Sequence, residues 1–233
     1  MNRNYIYTAI SGGKDKPLRF SGSVRGDGDS FWLFTDDPEV RKEARYLWNV
    51  HGFSKEILQI QDPVRRAKYY KIMPHKLFPK ATYSLWIDGN VIPKVKIDQL
   101  IKKYLREDDL CMFKHPLRDS AYEEAEVCKK LGLDDPAIID AQMQRYRDKY
   151  FPEHFGLTAC TVILRRHTPE VNAFNEMWWD EICKGSKRDQ LSVDYCMRNF
   201  DLICNYFDGF VQGPDRDPKF AGSEEFSYSP HLK

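Results

Sequence analysis

Short apolar runs alternate with helix-start signals along most of this chain, and that alternation constrains its fold more than any other feature. The runs are 5–10, 31–35, 83–88, 110–114, 157–164 and 202–207. Each is brief, rich in β-branched or aromatic residues, and bounded by turn or charged residues, the pattern of a buried strand. Helical patterns lie between them. Asp37 stands before Pro38 as an N-cap, predicting a helix over 38–50. Ile97, Leu100, Ile101, Tyr104 and Leu105 recur at helical spacing. Ser120 and Glu123 have capping-box spacing, with Gly132 placed to end the helix. Asp135-Pro136 opens a helix to about residue 149, Thr168-Pro169-Glu170 opens one that Gly185 stops, and a last one follows Asp189. Strands alternating with helices predict an α/β domain with a mostly parallel central sheet flanked by helices.

In such sheets ligands collect at the carboxyl ends of the strands. Here those ends read Ser11-Gly12-Gly13, Thr35-Asp36-Asp37, Asp88-Gly89-Asn90, Lys114-His115 and Arg165-Arg166-His167. The set is polar and charged, suited to anions and to a hard cation. From Gly209 onward the chain turns rich in Gly, Pro, Asp and Ser. The boundaries expected are therefore one α/β domain over 1–208 and an irregular extension over 209–233, either disordered or folded over the ligand side as a lid.

Composition removes several classes. Of 233 residues, 42% are hydrophobic, enough for one substantial core, and the charges nearly cancel at +1. That balance gives no global attraction to nucleic acid or anionic membrane. No apolar run is long enough to span a bilayer, and no charged lead with a long apolar segment opens the chain, so a cytoplasmic location is expected. The six cysteines are scattered with neither CxxC nor metal-ligand spacing, and read as structural thiols.

The stretch Tyr83 to Asn90 delivers a carboxylate to a strand end, then a glycine, then a second oxygen. Asp88 and Asn90 suit a Mg²⁺ or Mn²⁺ ion shared with substrate phosphates, although Asp-Gly-Asn is also ordinary turn chemistry. Lys114, His115 and Arg118 suit phosphate or sugar hydroxyls, Arg165 and Arg166 form a fork for a diphosphate, and His167 suits a metal or an acceptor hydroxyl. Of Trp178 and Trp179, one reads as a core residue with Phe174 and Ile182, leaving the other a face to offer a sugar. Acidic Glu123 and Glu124 suit a helix start, with acceptor-base chemistry as the other reading.

Taken together, these segments resemble the nucleotide-sugar glycosyltransferases of the GT-A fold, in which a basic, tyrosine-containing helix and a proline precede a strand ending in Asp-x-Asp. More specifically, the chain resembles a glycosyltransferase-like family long catalogued as a domain of unknown function, whose plant members are linked to cell-wall and mucilage polysaccharides. The residues that carry the likeness are Lys68 through Pro79, Trp86 to Asn90, Lys114-His115-Pro116 with Arg118, Tyr122 to Ala125, Gln142-Met143, Arg165 to Thr168, Trp178-Trp179, Glu181-Ile182, and Ser186 with Arg188-Asp189-Gln190. They span roughly 5–205. The departure is Asn90 where a second Asp usually stands, a weaker metal ligand.

The resemblance implies transfer of a sugar from a nucleoside diphosphate, most readily a UDP-sugar, to a hydroxyl of a saccharide or glycoconjugate. Asp189 and Gln190, with Arg188, would lie beside the transferred sugar, with retention of configuration. Arg65, Lys68, Lys71 and the Arg165–Arg166 pair would offset the developing diphosphate charge, assisted by Mn²⁺ or Mg²⁺ on Asp88 and Asn90, with Gly89 letting the backbone turn closely at the donor. Thr8, Ser11 and Asp36 would hold the nucleoside. Two other readings compete. One is a non-catalytic carbohydrate-binding protein on the same fold. The other is a glycosyltransferase acting on a hydroxylated nucleic-acid base, using a basic face of Lys94, Lys96, Lys102, Lys103 and Arg106. The sequence carries no signal for an oligomeric state.

Overall fold

The computed structural model describes residues 3–13, 20–210 and 222–229. Nine strands are present among them: β1 (Asn4–Ile10), β2 (Ser30–Thr35), β3 (Asn49–His51), β4 (Tyr83–Ile87), β5 (Val91–Pro93), β6 (Leu110–Lys114), β7 (Thr158–Arg166), β8 (Cys204–Tyr206) and β9 (Phe226–Tyr228). The helices are α1 (Pro38–Ala44), α2 (Lys55–Leu58), α3 (Pro63–Ile72), α4 (Pro74–Leu77), α5 (Ile97–Leu100), α6 (Ala121–Lys130), α7 (Pro136–Asp148), α8 (Pro169–Lys184) and α9 (Val193–Asn199).

Most helix starts are set by the chemistry the sequence announces. Asp37, Asp62, Asp135 and Thr168 each precede a proline, and each side chain accepts from backbone N–H groups of the first turn. Gly132 adopts φ +62°, so Leu133 N–H reaches Cys128 O and Gly132 N–H reaches Lys129 O, closing α6. Ser120 departs from expectation: its hydroxyl is buried without a partner and caps nothing. The helix expected over 38–50 also stops early, at Ala44, because the chain turns to add β3 to the sheet edge.

Seven strands form one sheet in the order β3-β2-β1-β4-β7-β6-β8. β1 to β4 run parallel, as do β6 and β8, while β7 runs antiparallel to both its neighbours. Side chains alternate across the sheet. Ile6, Ile10, Leu33, Leu85, Ile87 and Leu164 fill one face with Val40 and Leu105. Tyr7, Phe34, Trp86 and Ile163 fill the other, against α3, α8 and α9. α6 and α7 pack a further cluster around Tyr122, Met143 and Tyr146.

Part of the segment expected to be irregular is ordered into this core. β9 pairs antiparallel with β5, and Phe226 is buried against Phe113 and Phe207. Glu225 accepts from Lys103, Tyr104 and Ser223, and Lys94 donates to Ser223 O. Two lysines of the basic face considered for nucleic acid therefore hold this strand. The remainder of the expected lid, 211–221 and 230–233, lies outside the described residues. None of the described helices is long and apolar enough to cross a membrane. All six cysteines are free, most of them buried, as their apolar surroundings predicted.

One buried carboxylate ties α9 to the amino end of β7. Asp194 accepts from Thr158 N–H at 2.9 Å and from Thr158 Oγ–H at 2.6 Å. Burial pushes its carboxyl up to about 6, against the opposing Thr158 bonds. The folded value thus exceeds the unfolded one of about 3.9. This group's contribution is fully present below about pH 4 and is lost as pH rises through 6. Asp194→Asn removes that titration, so its stability relative to wild type is expected to rise by on the order of 1–3 kcal/mol between pH 4 and 7. Urea melts across that range check it. A pH-independent difference contradicts it.

Candidate active site

α3 begins at the Asp62–Pro63 cap and turns Lys68 and Lys71 toward the carboxyl end of β4. The Lys71 ammonium lies 3.1 Å from Asp88 Oδ1 and 2.7 Å from Asp189 Oδ2, and Lys68 reaches the same Asp189 oxygen at 2.5 Å. Trp86 Nε1–H also donates to Asp88 Oδ1, at 2.7 Å. The Lys71 and Asp189 side chains are 2% and 5% exposed, so neither charge would be tolerable alone. Burial works against ionisation of Asp189, yet Lys68, Lys71 and Arg188 hold its carboxyl far below the usual carboxylate range. Lys71 is raised by Asp189 and Asp88 despite burial, whereas burial prevails at Lys68 and lowers it.

Asp189 itself sits in a tightly tied loop. Gly185 O and Ile182 O, at the end of α8, accept from the Arg65 guanidinium. Ser186 N–H donates to Gln142 Oε1 at 2.8 Å, and Ser186 Oγ–H and Lys187 N–H both donate to Asp134 Oδ2. Lys187 pairs with Asp62 at 2.9 Å. Trp178 Nε1–H donates to Asp189 O at 3.3 Å and Ser192 Oγ at 3.2 Å from beneath. A Cβ at Gly185 would lie 2.6 Å from the Gln142 side chain, so this close approach needs glycine.

These groups border a cleft of about 450 Å³. Its walls bring together Lys68, Lys71, Asp88, Lys114, His115, Arg118, Arg188, Asp189 and Gln190, nine of the residues picked out in the sequence. Arg118 is bonded to Glu124 through Nε at 2.7 Å, and its backbone N–H donates to His115 Nδ1. Arg188 reaches Gln190 Oε1 at 3.0 Å. The sequence reading missed Ala159, Cys160 and Thr161, which also line the cleft, as does Phe210.

The Arg165-Arg166-His167 segment is not there. β7 is antiparallel, and Arg166 pairs in register with Tyr83, the first residue of β4. The carboxyl end of β7 therefore lies at the amino ends of its parallel neighbours, opposite the cleft, and its amino end takes the place at the cleft. Arg165 is fully buried and donates to Tyr7 OH and Lys71 O. Arg166 pairs with Asp109 and Tyr83 OH, and His167 meets Ser84 Oγ. Arg65 likewise caps α8. Arg166→Ala is accordingly expected to leave ligand binding and turnover at the cleft unchanged and to cost about 1 kcal/mol or less, the scale of a part-exposed ion pair. A large kinetic loss would return Arg166 to the site.

The remaining residues stand apart from the cleft lining. Ser11 Oγ–H donates to Asp36 at 2.8 Å, and Asp36 pairs with Arg66 at the ends of β1 and β2. Thr8 and Gly89 line a separate small cavity with Phe20 and Trp48, which shares Asp88 with the cleft. Asn90 is 3% exposed, and its carbonyl accepts from Ser229 N–H. Among the described residues no three His, Cys, Asp or Glu side chains converge as a metal set. Asp88 alone brings a carboxylate from this motif to the cleft, with Oδ1 held by Trp86 and Lys71. A single such carboxylate fits a cation whose other ligands are phosphate and water.

Residues 39–209 match the family model described as TOD1/MUCI70, glycosyltransferase-like domain. The chain belongs to that family. It is 33% identical over 182 residues to the probable hexosyltransferase MUCI70 of Arabidopsis thaliana, covering 70% of this chain and 31% of that protein. It is 26% identical over 192 residues to the Arabidopsis thaliana alkaline ceramidase TOD1, covering 71% of this chain and 41% of the relative. The chain thus spans less than half the length of either relative. Its fold matches the apo crystal structure of mouse xyloside xylosyltransferase 1 with a TM-score of 0.53 at 12% identity, covering 98% of this chain and 97% of that one. The α/β architecture and the family expected from the sequence are both shown.

Proposed function

We propose that this chain is a glycosyltransferase that moves a sugar from a nucleoside diphosphate, a UDP-sugar above others, to a hydroxyl acceptor. The observation that carries this reading is the Lys68–Asp189–Lys71–Asp88 network on the cleft wall. On this reading the Lys68 and Lys71 ammonium groups, 15% and 2% exposed, would meet the charge that a leaving diphosphate gains, and preformed donors of this kind need no reorganisation as the bond breaks. Asp189, kept ionised, suits a developing positive charge on the sugar or a sugar hydroxyl, with Gln190 and Arg188 beside it. The names of the hexosyltransferase relative and the family support the same chemistry.

Asp88 is the residue to hold Mn²⁺ or Mg²⁺, and the ion would supply further neutralisation of the diphosphate. Asn90 would act on that site through the turn it closes, since Val91 N–H donates back to Asp88 O. Ser11, Asp36 and Thr8 remain candidates for the nucleoside from the neighbouring strand ends.

A thermal-shift screen of UDP- and GDP-sugars with and without Mn²⁺, followed by detection of released diphosphate, tests the reading. A donor at about a hundred times its Kd should stabilise the fold by about 2.7 kcal/mol, or roughly 5–10 °C in Tm. Absence of both stabilisation and hydrolysis across the donors would overturn it. Release of fatty acid from ceramide by the same protein would favour the chemistry named for the second relative.

A further inference from the structure

The cleft has two chemically different sets of lining groups. Lys68, Lys71, Asp88 and Asp189 form one, while Leu117, Val127, Leu131 and Leu133 line the same space. Leu117 and Leu131 are 52% and 66% exposed, among the most open large apolar side chains in the described residues. Isolated exposed leucines need no explanation. Here, however, apolar groups from two separate segments converge on one cleft. Glu124, Val127 and Leu131 follow one stripe of α6 at helical spacing. The positive φ of Gly132 turns the chain so that Leu133 joins them after the helix ends. Leu117 arrives from the loop after β6, where His115 Nδ1 accepts from Leu117 N–H and Arg118 N–H and fixes its course.

Among the described residues, the core takes up little of this apolar surface. Leu117, Val127 and Leu131 belong to none of the three core clusters, and Leu133 only borders one. His115, Arg118, Glu124 and Gln190, groups suited to a hydroxyl, line it too: Glu124, bonded to Arg118, precedes Val127 and Leu131 along α6, and Gln190 follows Asp189 in the chain. Ligands filling the cleft would therefore present a charged part, a hydroxylated part and an apolar part. Resting on the transferase reading above, we propose that the acceptor is amphipathic: its hydroxyl is carried on a group with an apolar aglycone, which packs on the Leu117–Leu131 wall. A wholly polar acceptor, such as an internal unit of a polysaccharide, would leave that wall wet. Alkyl and aryl aglycones share this chemistry, and the wall's aliphatic side chains accommodate either.

The test is direct binding, which does not depend on turnover. Methyl, octyl and phenyl β-glycosides of one sugar are titrated into the whole protein by calorimetry, below the octyl compound's micelle concentration. Each methylene taken from water is worth about fourfold in affinity, so the octyl glycoside should bind at least tenfold more tightly than the methyl one. A comparable gain for phenyl identifies an aryl source, and a gain confined to octyl identifies a lipid one. The double variant Leu117→Gln, Leu131→Gln should erase the gain with its melting temperature unchanged, since both side chains are exposed. Equal affinity for all three glycosides, or a gain that survives the double variant, overturns the proposal. Donor hydrolysis is measured in parallel. If the donor is hydrolysed but the glycosides bind alike, the amphipathic acceptor falls and the transferase reading stands. If no donor is hydrolysed and the octyl gain appears, the wall binds apolar ligands and the transferase reading is what falls.

Discussion

Asp189→Asn is expected to lower nucleotide-sugar hydrolysis by about 10²–10³-fold, the scale seen when one preorganised charge-stabilising group is removed. The change keeps the side chain's shape and removes its charge. Among the described residues, Asp88 is then the carboxylate still paired with this lysine couple, through Lys71, which stays 2% exposed. Breaking a buried pair from one side also costs about 3–5 kcal/mol, so urea denaturation should register the same substitution. The pH profile separates the roles. Because the folded carboxyl is depressed far below its unfolded value of about 3.9, its contribution is present above that value and lost only on strong acidification. Wild-type activity should therefore show no loss from Asp189 between about pH 5 and 8. If the Asn variant is stable and retains full activity, Asp189 has no place at the reacting sugar.

Trp178→Ala is expected to destabilise the protein by about 3–5 kcal/mol, as for other buried aromatic truncations. Trp178 is fully buried, packs against Phe174, and lies under the loop that presents Asp189. Trp178→Phe isolates the second role. It fills most of the volume but gives up both indole N–H bonds, to Asp189 O and Ser192 Oγ. Stability should fall by only about 1–2 kcal/mol, while kcat falls more than the donor KM rises, because the lysines still bind diphosphate and the carboxylate is displaced. A change in KM alone would show that the loop's position matters only for binding.

Local chemistry was legible where one or two neighbouring residues decide the outcome. The Asp-Pro and Thr-Pro starts of α1, α7 and α8 and the glycine after α6 were readable because a cap is a local bond. The strand runs were readable because burial needs apolar residues. The direction of β7 was not. A buried strand presents the same apolar run whether it pairs parallel or antiparallel, so Arg165, Arg166 and His167 were assigned to the wrong end and Cys160 and Thr161 were overlooked. Arg65 was misread for a related reason: its partners are carbonyls at the end of α8, more than a hundred residues away in sequence. Lys68, Lys71, Asp88 and Asp189 were each picked out singly. Their mutual pairing, which gives the cleft its electrostatic character, depends on α3 and the Asp189 loop meeting over β4, and no local pattern encodes that meeting.

The small β5–β9 sheet has a consequence for how the protein becomes competent. β5 follows directly on the Asp88-Gly89-Asn90 turn, and its partner strand comes from the far end of the chain, with Lys94 and Lys103 reaching Ser223 and Glu225 across more than 120 residues of sequence. Contacts of such long separation are closed late in folding. During synthesis, therefore, the large sheet can assemble while the turn carrying Asp88 still lacks the strand that backs it. β9 can dock on β5 only once synthesis has passed residues 222–229, so the turn carrying Asp88 gains its backing strand after the rest of the sheet has been made.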